Sequence, residues 1–299
     1  MNITDINFPN LGILLSNVGS GITIGGIEIK FYGMIIASGF LLGLMAAMRE
    51  AKRTGQDPEL YIDYLLCMVI PAIAGARLYY VIFSWDNYKD DLMRIFRIRE
   101  GGLAIFGGVI AGVIVLLIFA KVRKKSFWKM TDTICMSLLI GQILGRWGNF
   151  FNREAFGGFT DNIFAMQIPV DYFREVGRIG EITRTGLLEH TVEAVINGTS
   201  ITCIQVHPTF LYESLWNLGV LLIIFLYRKN KKFDGELFAM YLVGYGVGRF
   251  WIDSLRVDQL QIGGTGLAVS QILAATIAII SFCAIIFNKK KHKTNQGIE

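Results

Sequence analysis

Seven stretches of predominantly apolar residues follow one another along the chain. They cover residues 31–48, 60–83, 102–120, 131–151, 208–227, 236–252 and 267–287. A helix that crosses the hydrocarbon core of a bilayer needs about 20 mostly apolar residues, so this pattern predicts seven transmembrane helices. We expect an all-α polytopic membrane protein, with helices 1–4 and an N-terminal outer segment in residues 1–151. Helices 5–7 and a basic tail would occupy residues 207–299.

Residues 152–206 depart from this pattern. Apolar and polar positions alternate in IFAMQIPV and ITCIQVH, as they do in short strands with one buried face. Because loops of this length usually have a function, we expect a small mixed head domain outside the membrane.

Basic residues indicate the orientation of the predicted helices. They concentrate in residues 49–53, 121–129, 228–232 and 289–293, whereas no lysine or arginine precedes Lys30. Short cytoplasmic loops are enriched in lysine and arginine, so the N-terminus is predicted to lie outside and the C-terminus in the cytoplasm. The first residues also lack a positively charged segment of the kind that begins a cleaved signal peptide, so none is expected.

Composition supports a membrane protein and excludes several other classes. The chain of 299 residues is 53% hydrophobic and only 18% charged, whereas soluble domains average about 25% charged residues. A net charge of +5 without a binding motif does not predict a nucleic-acid partner. The four cysteines are scattered, so neither a disulfide framework nor a CxxC metal site is expected.

Pairs of small residues four apart recur in the predicted helices, and such pairs allow two helix backbones to approach closely. They are Gly39/Gly43, Gly108/Gly112, Gly141/Gly145 and Gly244/Gly248.

Arginine occurs inside three predicted membrane helices, at Arg77, Arg146 and Arg249, and each lies toward the outer end of its helix. Arg146 and Asn149 are three residues apart and therefore share a helix face. In GRFWIDSLR, the spacing places Arg249, Asp253 and Arg256 on one face as well. Charges inside a membrane are expensive and usually functional.

The stretch HPTFLYESLWN adds His207 at the outer mouth of the fifth helix, with Tyr212 and Glu213 about one turn deeper. Two interpretations remain open for this polar group. It could consist of internal ion pairs that set the helix register, or it could be an anion site at the depth of the lipid headgroups. Guanidinium groups bind phosphate through two parallel hydrogen bonds, which favours a phospholipid headgroup as the ligand.

The stretch GRWGNFFNREAFG resembles the signature G-R-x-G-N-F-x-N-x-E-x-x-G of the prolipoprotein diacylglyceryl transferases. Further blocks agree in order: Tyr-Gly at 32–33, GARLYYV at 75–81, HPTFLYE at 207–213 and GRFWIDSLR at 248–256. Asp253 stands where the family usually has glutamate.

The resemblance implies an activity. Members of this family transfer the diacylglyceryl group of phosphatidylglycerol to the thiol of the lipobox cysteine in a preprolipoprotein. A thioether forms, glycerol-1-phosphate leaves, and no metal or cofactor takes part. The resemblance further implies a multi-pass protein of the bacterial cell membrane, with phosphatidylglycerol, preprolipoprotein signal peptides and the bilayer as its partners.

The resemblance also implies roles for individual residues. Arg146 and Arg249 would bind the phosphate, while Asn149 and Tyr32 would hold the headgroup or the lipid ester region. Glu154 would orient an arginine or the glycerol hydroxyls, and Asp253 and Arg256 would support the site or line the exit of the product. Arg77, Gly157 and Tyr212 complete the predicted phosphatidylglycerol-binding set.

One position departs from the family pattern. Many members have histidine in the block G-G-L-x-x-H-G-G, where this chain has Phe106. His207 and Glu213 are the remaining titratable candidates for a catalytic role, and capping of its helix is an equally good explanation for His207. We expect arginines to activate the thiol electrostatically, without a dedicated base.

Two other function classes fit parts of the sequence. A transporter for an anionic lipid or solute could also use an arginine pocket, although internal repeats are missing. A non-enzymatic membrane assembly subunit would not need polar side chains that converge from several helices.

Overall fold

The structure is a computed structural model, and it describes residues 2–98, 101–196, 199–259 and 268–296. By internal packing the chain divides into two units, one formed by Met1–Gly43 with Met136–Glu299 and the other by Leu44–Cys135.

Helices occur at each of the seven predicted positions, and short strands and helices lie between them. In chain order the elements are β1 (Ile6–Phe8), β2 (Ile13–Leu15), β3 (Gly21–Ile24), β4 (Ile27–Lys30), α1 (Phe31–Arg53), α2 (Glu59–Phe83), α3 (Ile105–Val122), α4 (Phe127–Asn152), β5 (Met166–Pro169), α5 (Val170–Glu175), α6 (Ile179–Arg184), β6 (Thr191–Ile196), β7 (Thr199–Val206), α7 (Thr209–Tyr227), α8 (Glu236–Asp253) and α9 (Val269–Gln296). The molecule is therefore mostly helical with a small region of sheet.

Five of these helices are long and apolar enough to cross a membrane, namely α1, α2, α3, α7 and α9. The other two predicted spans, α4 and α8, are helical but more polar. Helix α4 contains Asp132 and Arg146, and α8 contains Glu236, Arg249 and Asp253. The sequence pattern thus located the helices correctly, and a crossing by α4 and α8 stays a prediction.

Large apolar side chains cover the outward faces of the apolar helices. Ile70 and Ile105 are each 77% exposed, and Leu226 is 74% exposed. A soluble monomer rarely leaves so many large apolar side chains uncovered, which is consistent with a membrane protein.

In the second unit, α2 packs closely against α3 through small residues. A Cβ on Gly75 would lie 2.6 Å from the Ala111 Cβ, and one on Gly112 would lie 3.5 Å from the Met68 sulfur. One end of this unit has an apolar core that includes Tyr61 and Phe119. In the predicted pair Gly108/Gly112, a Cβ on Gly108 would lie 3.3 Å from the Ala72 oxygen, so the predicted close packing is confirmed at Gly108.

In the first unit, small residues also mark helix contacts. A Cβ on Gly39 of α1 would lie 3.7 Å from the Gly141 Cα of α4. Gly244 of α8 faces Val220 of α7, and the Trp216 Nε1 of α7 donates a hydrogen bond of 2.8 Å to the Gly244 carbonyl. Helix α1 thus contacts α4, and α7 contacts α8, at glycines of the predicted small-residue pairs.

The head contains a five-stranded antiparallel sheet in the order β2-β1-β5-β7-β6. The sheet extends beyond the predicted range 152–206, because β1 and β2 come from the N-terminal segment and Asn7 pairs with Gln167 of β5. Strands of three residues are too short for a recognisable alternation, and their partner lies far along the chain.

The core of the head is continuous with the ends of two helices. Phe150 of α4 and Phe210 of α7 belong to the same buried cluster as Ile168, Phe173 and Val206. Because of this shared core, the segment that joins α4 to the head is held close to the start of α7.

Candidate active site

Three helices of the first unit bring the predicted polar residues together. The Ser214 Oγ of α7 donates to the Ile143 carbonyl of α4 at 2.9 Å, and the Gln142 Nε2 of α4 donates to the Tyr241 hydroxyl of α8 at 2.8 Å. These bonds join α4 to both α7 and α8. Their side chains can therefore meet in one cluster.

Glu213 of α7 lies between two arginines of different helices. Its Oε1 is 2.5 Å from the Arg146 Nη2 of α4, and its Oε2 is 3.5 Å from the Arg249 Nη1 of α8. Asp253 continues the network, with its Oδ2 3.1 Å from the Arg249 Nε and its Oδ1 3.9 Å from the Arg256 Nη1. Glu213 is 5% exposed and Asp253 is 2% exposed, so both carboxylates are buried against guanidinium groups.

A second chain of contacts leads from Arg146 toward the head. The Arg146 Nη1 donates to the Asn149 Oδ1 at 3.2 Å, and the Asn149 Nδ2 donates to the Glu154 Oε1 at 2.8 Å. Tyr32 of α1 lies beside this chain, because its ring packs against Gly148 and a Cβ there would be 2.6 Å from the ring. Tyr32, Arg146, Asn149 and Glu154 are thus neighbours in the structure.

Residues 154–158 are held between the start of α7 and the end of α8. The Gly157 amide donates to the His207 carbonyl at 2.9 Å, and the Gly158 amide donates to the Leu255 carbonyl at 2.9 Å. A Cβ on Gly157 would lie 2.7 Å from both the His207 Cβ and the Leu255 oxygen. Glycine is required at position 157 by this close approach.

His207 faces two polar groups through its Nδ1 atom. The Asn162 Nδ2 is 3.3 Å from it and the Tyr212 hydroxyl is 3.4 Å from it. The Asn162 Oδ1 accepts a bond from the Phe164 amide at 2.9 Å, which fixes the orientation of the side-chain amide. Since Nδ2 can only donate, Nδ1 accepts and the proton of neutral His207 lies on Nε2.

Burial lowers the pKa of His207 below its ordinary value, so the imidazole is neutral at pH 7. Its acceptor nitrogen already faces Asn162, and its backbone carbonyl holds Gly157. These contacts suit a residue that positions its neighbours better than one that accepts a proton from a substrate.

Arg77 lies in the second unit, where its guanidinium is surrounded by backbone oxygens. The Nε donates to the Ile95 carbonyl at 2.8 Å, and the Nη1 donates to the carbonyls of Gly101 at 2.6 Å and Gly102 at 2.9 Å. The Nη2 donates to the Arg94 carbonyl at 2.5 Å. These bonds tie the loop after α2 to the helix, and the predicted role of Arg77 in phosphatidylglycerol binding stays a prediction.

Phe106 lies in the first turn of α3 and also belongs to the second unit. Its ring centroid is 6.4 Å from that of Tyr79, which in turn stacks on Phe83 at 4.5 Å. An aromatic cluster therefore occupies the position where the family signature that this sequence resembles often has histidine.

Two polar residues of the head were not singled out by the sequence analysis. Asn162 lies in a loop with no motif around it. Arg153 is 2% exposed and donates to the carbonyls of Thr4 at 2.5 Å and Val18 at 2.6 Å, so it holds the N-terminal segment against the head. Arg153 lies between Asn152 and Glu154 of the signature stretch. This position in the motif was the signal that could have identified it.

The chemistry of the cluster favours an anionic ligand. Arg146 and Arg249 keep 23% and 18% of their side-chain surface exposed, so each can contact a ligand while Glu213 holds it in place. Within the described ranges, no group of three His, Cys, Asp or Glu side chains could hold a metal ion. Burial also raises the pKa of the Cys203 thiol to about 12, which makes Cys203 a poor nucleophile.

A family model described as prolipoprotein diacylglyceryl transferase matches residues 20–287, a range that contains every residue of this cluster. The chain belongs to the prolipoprotein diacylglyceryl transferase family. The phosphatidylglycerol–prolipoprotein diacylglyceryl transferases of Listeria innocua serovar 6a and Bacillus mycoides are 39% and 41% identical to this transferase over 270 residues. The alignments cover 90% of its chain and 89% and 91% of those relatives.

The family prediction from the signature stretch is therefore confirmed, and so is the prediction of a transferase in lipoprotein biosynthesis. The similarity does not decide the roles predicted for individual residues of this transferase, which stay predictions.

Proposed function

We propose that this chain transfers the diacylglyceryl group of phosphatidylglycerol to the cysteine thiol of a lipobox in a preprolipoprotein. The sulfur–carbon bond forms at the glycerol carbon that carries the phosphate, and the carbon–oxygen bond to that phosphate breaks. Glycerol-1-phosphate leaves with the electron pair of the broken bond, and the thiol proton is released to water. The observation that supports this reaction best is the pair Arg146 and Arg249, held side by side by one buried carboxylate.

The arginines act on the leaving group. The phosphate gains one negative charge as the carbon–oxygen bond breaks, so guanidinium groups aimed at it stabilise the transition state more than the bound substrate. Because Arg146 and Arg249 come from different helices, their planar groups can contact two different phosphate oxygens. Asn149 and Tyr32 lie on the side of Arg146 toward the head and would hold the glycerol headgroup or the ester region.

The remaining members of the cluster support these arginines. Glu213 balances their charge and fixes their orientation before substrate binds, and Asp253 does the same for Arg249 from the other side. Glu154 orients Asn149 through their hydrogen bond of 2.8 Å. The Arg256 Nη2 also lies 2.7 Å from the Asp258 Oδ2. Arg256 would act as a further positive group near the exit of the charged product.

The thiol is activated by its electrostatic surroundings. A free cysteine has a pKa of about 8.5, and nearby cations lower this value. Glu213 is occupied by two arginines, and the Nδ1 of His207 is occupied by Asn162. We therefore assign neither residue as a dedicated base.

In the membrane, α4 and α8 would cross together with the five apolar helices. Helix α4 has 26 residues and α8 has 18 residues, which correspond to about 39 Å and about 27 Å at 1.5 Å per residue. Both pack against apolar helices, which can shield their charged faces from lipid. With seven crossings the N-terminus and the head lie outside the bacterial cell membrane and the basic C-terminal tail lies in the cytoplasm.

A direct assay tests the reaction. The full-length protein in detergent is mixed with phosphatidylglycerol and a lipobox peptide that contains one cysteine, and the peptide is weighed by mass spectrometry. We expect a mass increase of one diacylglyceryl group with the wild type and with His207→Ala. We expect no product with Arg146→Ala or Arg249→Ala, whereas Arg174→Ala, which removes a surface arginine of the head, keeps full activity.

Transport of an anionic lipid or solute is the alternative function. A transporter would move labelled phosphatidylglycerol between the leaflets of a vesicle and leave the peptide unmodified. Unmodified peptide with folded protein and a working reference transferase would therefore contradict the proposed reaction.

A further inference from the structure

The segment before α1 forms a two-stranded hairpin with two chemically different faces. Strands β3 and β4 pair antiparallel through Gly25 and Gly26, whose φ angles are +59° and +82°. Both angles lie in the left-handed region that a tight two-residue turn requires and that glycine adopts without strain. The turn therefore has no side chains at its tip.

One face of the hairpin is formed by isoleucine. Ile22 and Ile29 are cross-strand partners, and Ile24 is two residues from Ile22, so the three side chains share a face. The exposed fraction is 38% for Ile22, 40% for Ile29 and 60% for Ile24. Such an uncovered row of large apolar side chains on a two-stranded sheet needs another apolar surface to cover it.

The opposite face is polar. Thr23 and Glu28 are cross-strand partners, and Lys30 lies on the same face as Glu28. The Lys30 Nζ is 2.5 Å from the Glu28 Oε1 and 3.2 Å from the Ser20 Oγ. The hairpin is thus amphipathic, with its charges paired on the side away from the isoleucines.

The hairpin is joined to a membrane-spanning helix without a linker. Strand β4 ends at Lys30 and α1 begins at Phe31, and the Phe31 amide donates to the Ser20 carbonyl at 2.9 Å. The base of the hairpin is therefore fixed at the outer end of α1, at the level where the lipid headgroups begin. An amphipathic element at this level buries its apolar face among the upper acyl chains.

We propose that the isoleucine face of the β3–β4 hairpin inserts into the outer leaflet of the bilayer beside α1. The hairpin extends about 13 Å along its strands at 3.3 Å per residue, enough to reach over one or two lipids. The inference rests on the membrane crossing of α1 and does not depend on the transfer reaction. Since Tyr32 follows in the first turn of α1, the inserted hairpin would contact lipids next to the candidate active site.

Lipid fits the isoleucine face better than a protein partner does. The side chains of Ile22, Ile24 and Ile29 are aliphatic. They offer no hydrogen-bonding group that a protein partner could recognise. Its neighbours along the chain, from Phe31 onward, belong to a helix whose outward face is covered by lipid. A second copy of this chain or a segment of the lipoprotein substrate would cover the face without contact to acyl chains.

Fluorescence quenching in vesicles tests the insertion. The exposed cysteines Cys67 and Cys283 are replaced by alanine, and Ile24→Cys, Thr23→Cys and Leu41→Cys are each labelled with a polarity-sensitive fluorophore. Thr23 is the adjacent residue on the opposite face, and Leu41 is 64% exposed on α1 and serves as the bilayer reference. The vesicles contain phosphatidylcholine and phosphatidylglycerol, with nitroxide groups placed high or low on the acyl chains.

We expect the probe at position 24 to emit at shorter wavelength and to lose most of its fluorescence to the high nitroxide. The probe at position 23 keeps its fluorescence, and the probe at position 41 is quenched best by the low nitroxide. A probe at position 24 that is quenched no more than the one at position 23 would overturn the proposal. A wavelength shift without quenching would also overturn it, because protein would then cover the face.

The reference probe separates the possible failures. Quenching at position 41 without quenching at position 24 contradicts only the hairpin insertion. Absence of quenching at position 41 contradicts the membrane crossing of α1, and with it the inference. Peptide modification is measured on the same samples, so a failure of the transfer reaction is detected separately.

Discussion

Replacing Glu213 with glutamine removes one negative charge from between Arg146 and Arg249 and leaves the side-chain volume almost unchanged. In the native cluster the Glu213 Oε1 takes the closest contact of Arg146, at 2.5 Å, while the contact to Arg249 is longer, at 3.5 Å. A hydrogen bond to a charged group contributes about 1.5–3 kcal/mol. If phosphate takes over the contact that Glu213 releases, its binding tightens by about 10- to 150-fold, because every 1.4 kcal/mol is tenfold. The glutamine oxygen still accepts one bond, so we expect the lower end of this range.

The assay measures kcat and KM for phosphatidylglycerol in mixed micelles with a saturating lipobox peptide. We expect KM to fall by about tenfold in Glu213→Gln. We expect kcat to fall by a smaller factor than KM. Glu193→Gln is the matched control, since Glu193 is an exposed head residue that binds Ser200 and Thr202, and both of its constants should be unchanged.

The opposite pattern would refute this reasoning. A general base contributes about 10²- to 10⁴-fold to the rate. Loss of kcat by that factor with an unchanged KM, in a variant that remains monodisperse, would identify Glu213 as a proton acceptor rather than a counter-ion.

Four further outcomes are expected. Arg146→Lys should lower kcat by about 10²- to 10³-fold, the effect of removing one preorganised donor, because an ammonium cannot contact two partners in one plane; peptide mass spectrometry measures the rate. Gly157→Ala should cost about 1–3 kcal/mol of stability and lower the unfolding midpoint, whereas Gly180→Ala, where no atom lies within 4 Å of the new Cβ, should not. Because burial lowers the pKa of His207, the unfolded chain takes up the proton first as pH falls below about 6.5; stability should decrease there, and thermal unfolding of His207→Gln should show a smaller decrease. Phe106→His should retain wild-type activity, and an inactive but folded variant would indicate that the aromatic cluster with Tyr79 is required.

The contrast between Arg77 and Arg146 illustrates what helix positions alone can predict. Both are arginines at the outer ends of predicted membrane helices, and the sequence gives no reason to separate them. In the structure the Arg77 guanidinium donates to four backbone carbonyls, whereas Arg146 contacts the side chains of Glu213 and Asn149. The difference arises from the loop after α2, whose path depends on turns that have no periodic pattern.

The head shows the same limit. The alternation in residues 163–170 and 201–207 predicted short strands, and strands are present there as β5 and β7. The pairing of β1 with β5 was not predicted, because a three-residue strand has too few positions to show a pattern and its partner is distant in sequence. The role of the buried Arg153 in holding the N-terminal segment was also missed, because its partners Thr4 and Val18 are distant in sequence.

The sequence by itself determined where the helices form and which motif the chain contains. Both properties are local, since apolar runs meet the length that a bilayer requires and the signature stretch is contiguous. Only the tertiary structure decided which charges meet. Glu213 is paired with arginines of two other helices, and His207 faces an asparagine of the head, because packing of the helices and the shared core of the head set those distances. Side chains from separate elements come within a few ångströms of each other only through that packing, and no spacing along one helix encodes it.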